Sequence, residues 1–390
     1  MSRSAQAKKR SVFVGMSGGV DSSVAALLLK RAGYDVTGVF IKCYNIDGCA
    51  ERDAEDARRV AGQIGIPFYV FDFEKEYKKK VVEYMIEGYR AGLTPNPDVM
   101  CNREIKFGLF LRRALKLGAD YVATGHYVKL LTSPRAPAKR VSGATPKSYS
   151  SRARRGSPLF ALGIAKDLNK DQSYFLWTLT QNELKHCLFP LGGLTKPEVR
   201  VLAKKAWLAT AEKKDSQGIC FLGMVDVKDF LKKYIKAKKG KVLASDGTVV
   251  GEHDGAAFYT IGQRHGFRLS SAVSRGVKDT LPHYVISKDV KKNTITVAEG
   301  SENPLLFRKN ILLTGVNFVV PLKAKTEVLA RVRYRQSLSL ATLKKTGSKA
   351  HPTYELAFKK PQKYVAEGQS AVLYKKGGGL VGGGIIVYNG

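Results

Sequence analysis

The chain has 390 residues, and its 44% apolar content provides ample material for the buried cores of two or three domains. Its 66 lysines and arginines oppose 33 aspartates and glutamates; this net charge of +33 favours a polyanionic partner, although a host proteome that is basic throughout would give the same balance. Five cysteines in so long a chain exclude a disulfide-dense secreted scaffold, and no apolar run reaches the roughly eighteen residues of a membrane helix, so we expect a cytoplasmic protein.

The first part of the chain alternates predicted strands with predicted helices. The strands are expected at SVFVGM, DVTGVFIKCY, PFYVFDF and YVATGHYV, with helices in the segments between them. Because parallel strands need helical crossovers, this alternation predicts an α/β domain with a parallel sheet. Ligands bind beyond the carboxyl ends of such strands, and Ser17–Ser23, Ile41 and Gly125 lie at three predicted ends. We therefore predict a ligand site at this edge of the sheet.

The rest of the chain divides into segments of different composition. Residues 131–158 are rich in Ser, Pro, Lys and Arg and contain no acid, which is typical of a basic surface loop. Helices are then expected at NKDQSYFLWTLTQNELKHCL and TKPEVRVLAKKAWL. A small unit covers residues 225–303, and alternating apolar and basic residues over 304–390 predict an all-β barrel or sandwich. We therefore expect an α/β domain over residues 1–224 and two smaller units after it.

The segment GMSGGVDSS joins the first strand to its helix. Gly18 and Gly19 allow positive φ angles and the close approach of an anion, while clustered backbone N–H groups and the positive helix end would attract phosphate. Ser17, Ser22 and Ser23 could add hydroxyl donors, and Asp21 could position a cation or cap the helix. An ordinary capped turn is the alternative. The segment lacks the lysine of a Walker A loop, so a different kind of phosphate loop is predicted.

This loop resembles the PP-loop, S-G-G-x-D-S, of the ATP pyrophosphatases, which adenylate a carbonyl or carboxylate oxygen. The loop alone does not distinguish a tRNA thiolase from an enzyme that adenylates a small molecule. Two distant segments with one cysteine each, TPNPDVMCNREIKFG and AEKKDSQGICFLG, narrow the choice. With ATGHY, KDQSYFL, TKPEVR, GEHDGAAFYTIGQR and GGGII, they make residues 11–390 similar to the tRNA-specific 2-thiouridylase family. The resemblance implies a PP-loop domain, a small linker domain and a C-terminal β-barrel.

The resemblance also implies an activity, the ATP-dependent 2-thiolation of the wobble uridine, U34, in tRNAs for lysine, glutamate and glutamine. The C2 oxygen of uracil is a poor leaving group, and adenylation makes AMP the leaving group instead. A cysteine persulfide then supplies a nucleophilic sulfur. Mg²⁺ is implied with ATP, and the sulfur donor would be a cysteine desulfurase or a sulfur-relay protein. Related thiolases hold an iron–sulfur cluster, for which Cys101, Cys220 and Asp98 could be ligands, so this alternative stays open.

The family pattern assigns roles to individual residues. It implies that Cys220 carries the persulfide, that Cys101 acts at or near the base, that one route ends in a Cys101–Cys220 disulfide, and that Asp98 is an acid/base group. Inert burial is the alternative for the two cysteines, and capping of a helix expected near Asn102 is the alternative for Asp98. The other implied contacts are Asn96, Pro97 and Asp98 for the target base; Lys170, Asp171, Gln172, Arg333 and Tyr334 for tRNA; and Gly15, Met16, Ser17, Gly18, Gly19, Val20, Asp21, Ser22, Ile41 and Gly125 for ATP.

Several residues depart from the family pattern or have no implied role. Ile41 stands where the family usually has a methionine, an apolar replacement at the adenine pocket. Cys43 and Cys49 are spaced too widely for a typical zinc pair and are predicted to be structural, and Cys187 is predicted to lie in a core. His126 is as consistent with a structural hydrogen bond as with catalysis. A noncatalytic RNA-binding protein is the alternative from another class, and the intact loop and cysteine segments oppose it.

Overall fold

The structure of the protein, a computed structural model, describes residues 9–44, 48–133, 159–214, 225–270, 281–348 and 352–388. Cys220 and residues 134–158 of the predicted basic loop lie outside these ranges. Within them, no helix is both long enough and apolar enough to cross a bilayer.

A parallel sheet organises the first domain, as predicted. The strands of the described part of this domain are β1 (Ser11–Gly15), β2 (Asp35–Lys42), β3 (Phe68–Asp72), β4 (Tyr121–Thr124), β5 (Lys129–Ser133), β6 (Leu159–Gly163) and β7 (Cys187–Leu188). Five of them form a sheet in the order β3-β2-β1-β4-β7, in which every pairing is parallel. The short strand β7 was not predicted, because two residues carry no periodic signal.

Helices pack on both faces of this sheet. They are α1 (Val20–Arg31), α2 (Cys49–Ile64), α3 (Glu74–Tyr77), α4 (Glu83–Arg90), α5 (Pro97–Cys101), α6 (Leu111–Lys116), α7 (Gln181–Leu184) and α8 (Lys196–Lys205), with a π-helical turn at Lys78–Val82. Successive side chains of a strand point to opposite faces. Val12 and Val14 therefore pack into the core that α1, α2 and α8 cover, while Phe13 packs against the core beneath α4 and α6.

One helix begins earlier than predicted, and a second is largely absent. The helix expected near Asn102 begins at Pro97 and runs through α5, a π-helical segment Asn102–Phe110 and α6; we call Pro97–Lys116 the Cys101 helix. Its early start comes from a proline in the first turn and the Asn96 cap. The segment NKDQSYFLWTLTQNELKHCL is helical only in the 3₁₀ turn Ser173–Leu176 and in α7. Tertiary contacts override its helical pattern: the backbone carbonyls of Trp177 and Leu179, for example, accept hydrogen bonds from the Asn317 side chain of the barrel.

The two smaller units are both built on β-sheets. The central unit holds α9 (Val227–Lys232), a 3₁₀ turn Ala256–Phe258, and β8 (Gly240–Leu243), β9 (Val249–His253), β10 (Phe267–Leu269), β11 (His283–Asp289) and β12 (Thr294–Glu299), in the order β10-β9-β8-β12-β11. After a 3₁₀ turn Pro304–Leu306, the last unit holds β13 (Phe307–Phe318), β14 (Lys325–Arg331), β15 (Ser339–Gly347), β16 (Pro352–Lys363), β17 (Ser370–Tyr374) and β18 (Gly379–Val387).

The last unit is a closed barrel rather than a sandwich. Its strands follow the order β13-β16-β15-β14-β17-β18, and β13 also pairs with β18, which closes the ring. The hairpin β5–β6 of the first domain adds to the barrel through β18, where Gly379 pairs with Gly163. The two strands that flank the predicted basic loop are thus held on the barrel.

Candidate active site

The predicted phosphate loop lies between β1 and α1 at the carboxyl edge of the parallel sheet. The backbone N–H of Ser17 donates to the Ser22 hydroxyl at 3.0 Å, and the Ser22 and Ser23 hydroxyls both donate to the Gly19 carbonyl. Gly18 has a φ of +70°, and a Cβ there would lie 2.3 Å from the Asp53 carbonyl oxygen. Only glycine fits this position, which packs the loop closely against α2.

Asp21 is held by two residues from distant parts of the chain. The Lys196 Nζ lies 2.7 Å and 2.8 Å from its two carboxylate oxygens, and the Tyr127 hydroxyl donates to it at 2.7 Å. Asp21 does not cap α1, whose N-cap is Gly19 and has no side-chain hydrogen bond. The capping alternative for Asp21 is therefore wrong, and its carboxylate is directed to Lys196 and Tyr127.

The other residues predicted to bind ATP surround this loop. A Cβ on Gly125 would lie 2.7 Å from the Ser22 backbone nitrogen, so the absence of a side chain lets the strand end approach the loop. A Cβ on Gly15 would lie 3.6 Å from Ile41 Cδ1 and 3.7 Å from the ring of Phe110. Gly15, Ile41 and Gly125 thus meet at the carboxyl ends of β1, β2 and β4, and Phe110 brings the Cys101 helix to the same edge.

The predicted base-binding segment forms the start of the Cys101 helix. Asn96 is its N-cap, because the side-chain oxygen accepts from the Val99 N–H at 3.2 Å, and Pro97 occupies the first turn. Asp98 is half-buried and lies inside that turn, so the idea that it caps a helix near Asn102 is wrong.

Cys101 ends α5 in the hydrophobic core, and its side chain is only 2% exposed. The buried surroundings of Cys101 agree with those that the alternative of inert burial expects for it. The side-chain Nδ2 of the next residue, Asn102, donates to the Phe175 carbonyl at 3.3 Å. Its buried amide oxygen has no hydrogen-bond partner among the described residues, an arrangement that costs free energy.

Aromatic residues connect the predicted base-binding segment with the predicted tRNA contacts. The Asn96 side chain lies beside Tyr174, whose hydroxyl donates to the Ser370 carbonyl of the barrel at 2.9 Å. Burial raises the pKa of Tyr174, so it stays a neutral donor. The next residue, Phe175, packs with its ring centroid 4.5 Å from that of Tyr334. No local pattern marks Tyr174 or Phe175 as functional beyond their place in the KDQSYFL block.

The segment Lys170–Gln172 lies between the barrel and the phosphate loop. Asp171 is 2% exposed, and its carboxylate pairs with Arg331 of β14 at 2.5 Å. Gln172 makes two hydrogen bonds with the backbone of Tyr127, whose hydroxyl reaches Asp21. In this arrangement the Asp171 carboxylate faces the protein interior, where it positions the segment.

The predicted tRNA residues of the barrel follow β14. Arg333 is half-buried and donates to the Ile261 carbonyl of the central unit at 2.6 Å, while its guanidinium lies over the Tyr364 ring. Tyr334 is half-buried, and the exposed Arg335 lies over its ring at 5.3 Å. Arginine and tyrosine side chains at this junction are suited to phosphate contact and base stacking.

Two residues near the site have structural contacts. The His126 Nδ1 is 2.8 Å from the Thr124 hydroxyl, and burial together with the positive Lys106 lowers the pKa of His126 well below its ordinary value, so the ring is neutral. Cys187 is 1% exposed, and burial raises the pKa of its thiol, which confirms the prediction of a core cysteine.

The residues at the loop fit Mg²⁺ and ATP by their chemistry. Carboxylate and hydroxyl oxygens, such as those of Asp21 and Ser17, are the ligands that Mg²⁺ prefers, and backbone N–H groups suit phosphate oxygens. Among the described residues, no group of three His, Cys, Asp or Glu side chains is arranged to hold a metal. Because Cys220 lies outside those residues, the iron–sulfur alternative is not tested.

Comparisons with known proteins cover nearly the whole chain. Three family models match in succession: the tRNA methyl transferase HUP domain over residues 10–224, the tRNA methyl transferase PRC-barrel domain over 228–299, and the aminomethyltransferase beta-barrel domain over 308–386. The tRNA-specific 2-thiouridylases of Streptococcus thermophilus and Enterococcus faecalis are each 44% identical across 97% of this chain and 95% of their own length. That of Bacillus subtilis is 44% identical across 96% and 94%. The chain therefore belongs to the tRNA-specific 2-thiouridylase family.

Proposed function

We propose that the protein replaces the C2 oxygen of the wobble uridine, U34, of tRNA with sulfur in an ATP-dependent reaction. The main support is that the phosphate loop and the Cys101 helix meet at one edge of the sheet. The chain is also 44% identical, over nearly its full length, to proteins named 2-thiouridylases. The tRNAs for lysine, glutamate and glutamine are the proposed substrates.

The first chemical step is adenylation of the base. The C2 oxygen of uracil attacks the α-phosphorus of ATP, the bond to the β-phosphate bridging oxygen breaks, and pyrophosphate leaves. The loop from Gly15 to Ser22 would bind the phosphates through backbone N–H groups and hydroxyls, and Gly125 and Ile41 would line the adenosine side. Mg²⁺, when bound, neutralises charge that develops on the phosphates.

The second step delivers sulfur. A persulfide on Cys220, loaded by a cysteine desulfurase or a sulfur-relay protein, presents its terminal sulfur to C2 of the adenylated base. A C–S bond forms, and AMP leaves with the former C2 oxygen. The Cys101 thiolate attacks the Cys220 sulfur, which breaks the S–S bond and leaves a Cys101–Cys220 disulfide. A dithiol reductant must then restore both thiols.

The base-binding residues and Asp98 support this sequence of steps. Asn96 and Pro97 fix the start of the Cys101 helix, so they can shape the pocket for a base that has left its stack. Asp98 lies one helical turn before Cys101 and is half-buried, a position from which a carboxylate can exchange protons near the thiol.

The RNA-binding face of the proposal lies where the barrel meets the first domain. Lys170, Arg333 and Tyr334 would contact the anticodon stem-loop, and Asp171 and Gln172 would hold that segment in place. The contact between Phe175 and Tyr334 links these residues to the Cys101 helix through the carbonyl that Asn102 binds.

The proposal is tested with purified protein, unmodified tRNA, ATP, Mg²⁺ and a persulfide source, followed by mass spectrometry of the nucleosides. We expect exchange of one oxygen for one sulfur at U34, with release of AMP and pyrophosphate. Cys220→Ser should abolish the product, and Cys43→Ser, at a half-buried cysteine outside the proposed machinery, should retain it.

Other outcomes would contradict the proposal. A wild-type yield from Cys220→Ser would remove the persulfide step. A mass gain of one methylene would instead indicate methyl transfer, the reaction that the descriptions of two matching family models name. Pyrophosphate release that does not depend on tRNA would indicate a small-molecule adenylating enzyme.

A further inference from the structure

A buried lysine from a distant helix reaches the phosphate loop. Lys196 is 8% exposed, and its ammonium group lies within 2.8 Å of both carboxylate oxygens of Asp21, in the S-G-G-x-D-S segment. The two residues are 175 positions apart. The loop sequence GMSGGVDSS contains no lysine, so this contact brings to the loop a positive charge that its own sequence lacks.

The position of Lys196 is fixed by its own helix. Thr195 and Glu198 form a capping box at the start of α8, in which the Thr195 N–H donates to the Glu198 carboxylate at 2.6 Å. The backbone N–H of Lys196 donates to the Asp167 carboxylate at 2.9 Å. The first turn of α8 is therefore anchored on both sides, and a long, rotamer-rich side chain is aimed at the loop.

A salt bridge made only for stability is a poor explanation of this pair. Burial of a charged lysine carries a desolvation penalty, and pairing with a carboxylate offsets it only in part. A triphosphate bound at the loop brings several negative charges, and a nearby ammonium group that is already desolvated would interact with them strongly. Asp21 keeps the ammonium group in place before the nucleotide arrives.

We propose that Lys196 binds the phosphate oxygens of ATP and is the lysine of this nucleotide site, with Asp21 as its positioning partner. The inference rests on the proposed function, because ATP is the ligand that the proposed function assigns to the loop. It adds a residue that neither the loop motif nor the implied contacts include.

The test compares the binding of Mg²⁺–ATP and of adenosine to the full chain by calorimetry or ligand-observed NMR. Lys196→Met should weaken ATP binding about 10- to 100-fold, the loss expected for a charge-assisted hydrogen bond, and should leave adenosine binding unchanged. Lys196→Arg should bind ATP with intermediate affinity, because it retains the charge. Lys204→Met is the matched control, since Lys204 lies on the same helix in an exposed ion pair with Glu212.

Three results would overturn the inference. They are wild-type ATP affinity in Lys196→Met, an equal loss of ATP and adenosine binding, and a lower melting temperature as the only change. If Lys196→Met does not fold, Asp21→Asn is compared with Asp21→Asn/Lys196→Gln, and equal ATP affinity of these two variants overturns the inference as well. Failure of the wild-type protein to bind ATP would instead contradict the proposed function.

Discussion

Burial limits the reactions that are open to the Cys101 thiol in this structure. With 2% of its surface exposed, the thiol is shielded from any persulfide carried on another loop. Its proposed reaction therefore requires a local opening. In the part of the chain that the structure describes, the buried side-chain oxygen of Asn102 has no hydrogen-bond partner, so the same turn is not fully stabilised.

This shielding predicts the order of cysteine labelling. We expect iodoacetamide to alkylate Cys101 at least about tenfold more slowly than the half-buried Cys43, because labelling must wait for local opening. Cys187, at 1% exposure, is the buried control and should label as slowly as Cys101. Peptide mass spectrometry follows each site, and equal rates at Cys101 and Cys43 would contradict the buried position. Addition of ATP, Mg²⁺ and tRNA should accelerate only Cys101.

The segment Lys170–Gln172 shows how packing against another element determines the contacts of a residue. In the sequence, Asp171 is one of three polar residues in a block associated with tRNA. In the fold, its carboxylate pairs with Arg331 and accepts a hydrogen bond from the Ser173 hydroxyl. Arg331 donates to the Tyr374 hydroxyl, which also hydrogen-bonds Ser173, so these side chains form one buried cluster. This cluster joins the first domain to β14 of the barrel.

Loss of one partner from this cluster should be costly. Arg331→Met should destabilise the protein by about 3–5 kcal/mol, because it leaves the Asp171 carboxylate buried without its cation. The control is Lys376→Met, since Lys376 forms an exposed pair with Glu327 of β14, and we expect a much smaller loss of stability from this variant. Urea denaturation measures both variants. Should Asp171→Asn lower tRNA affinity with no change in stability, Asp171 would instead contact the RNA directly.

At the scale of the whole molecule, the segment predicted to bind the target base is held where the three domains meet. The Thr94 hydroxyl is 2.7 Å from that of Thr260 in the central unit, and the Thr94 N–H donates to the Glu367 carbonyl of the barrel. The ammonium group of Lys288 lies 2.5 Å from the Tyr259 carbonyl and 3.4 Å from the Leu93 carbonyl. Movement of the barrel on RNA would therefore reach the residues just before Asn96.

Lys288 also predicts a pH dependence. Burial lowers its pKa from 10.5 to about 8, and Glu367 opposes the shift. The unfolded chain keeps the proton up to about pH 10.5, whereas the folded protein releases it near pH 8, so stability should rise as the pH increases through this window.

The control is the variant Lys288→Met, which has no titratable group at this position. Relative to it, the wild-type protein should gain up to about 3 kcal/mol between these two pH values. Thermal unfolding of the two proteins over this range measures the difference. Parallel curves for the two proteins would contradict the assigned cause.

The basic segment 134–158 lies outside the described residues, but its charge makes a prediction for the whole molecule. It carries seven lysines and arginines and no acid, and its flanking strands β5 and β6 are attached to the barrel. If the segment contacts phosphates without sequence preference, its deletion should make the salt dependence of tRNA affinity less steep. Filter binding across a salt series measures the slope, and an unchanged slope refutes the contact.

Local sequence determined the parts of this protein that depend on short stretches of chain. The strand–loop–helix at GMSGGVDSS, the glycine that follows α1 and four strands of the parallel sheet could all be predicted, because turn chemistry and apolar periodicity act over a few residues. The family blocks likewise identified the candidate loop, the base segment and the cysteines.

Only the tertiary structure decided which distant groups meet. Residues far apart in the chain form the Lys196–Asp21 pair, the contact of Asn96 with Tyr174 and the closure of the barrel between β13 and β18. The burial of Cys101 likewise depends on elements that are distant in the sequence. No periodicity or spacing encodes such pairs, because they form only when whole elements pack and each buried polar group must find a partner. The residue types of the candidate site could therefore be predicted from the sequence, whereas the partners that hold these residues in place could be identified only from the tertiary structure.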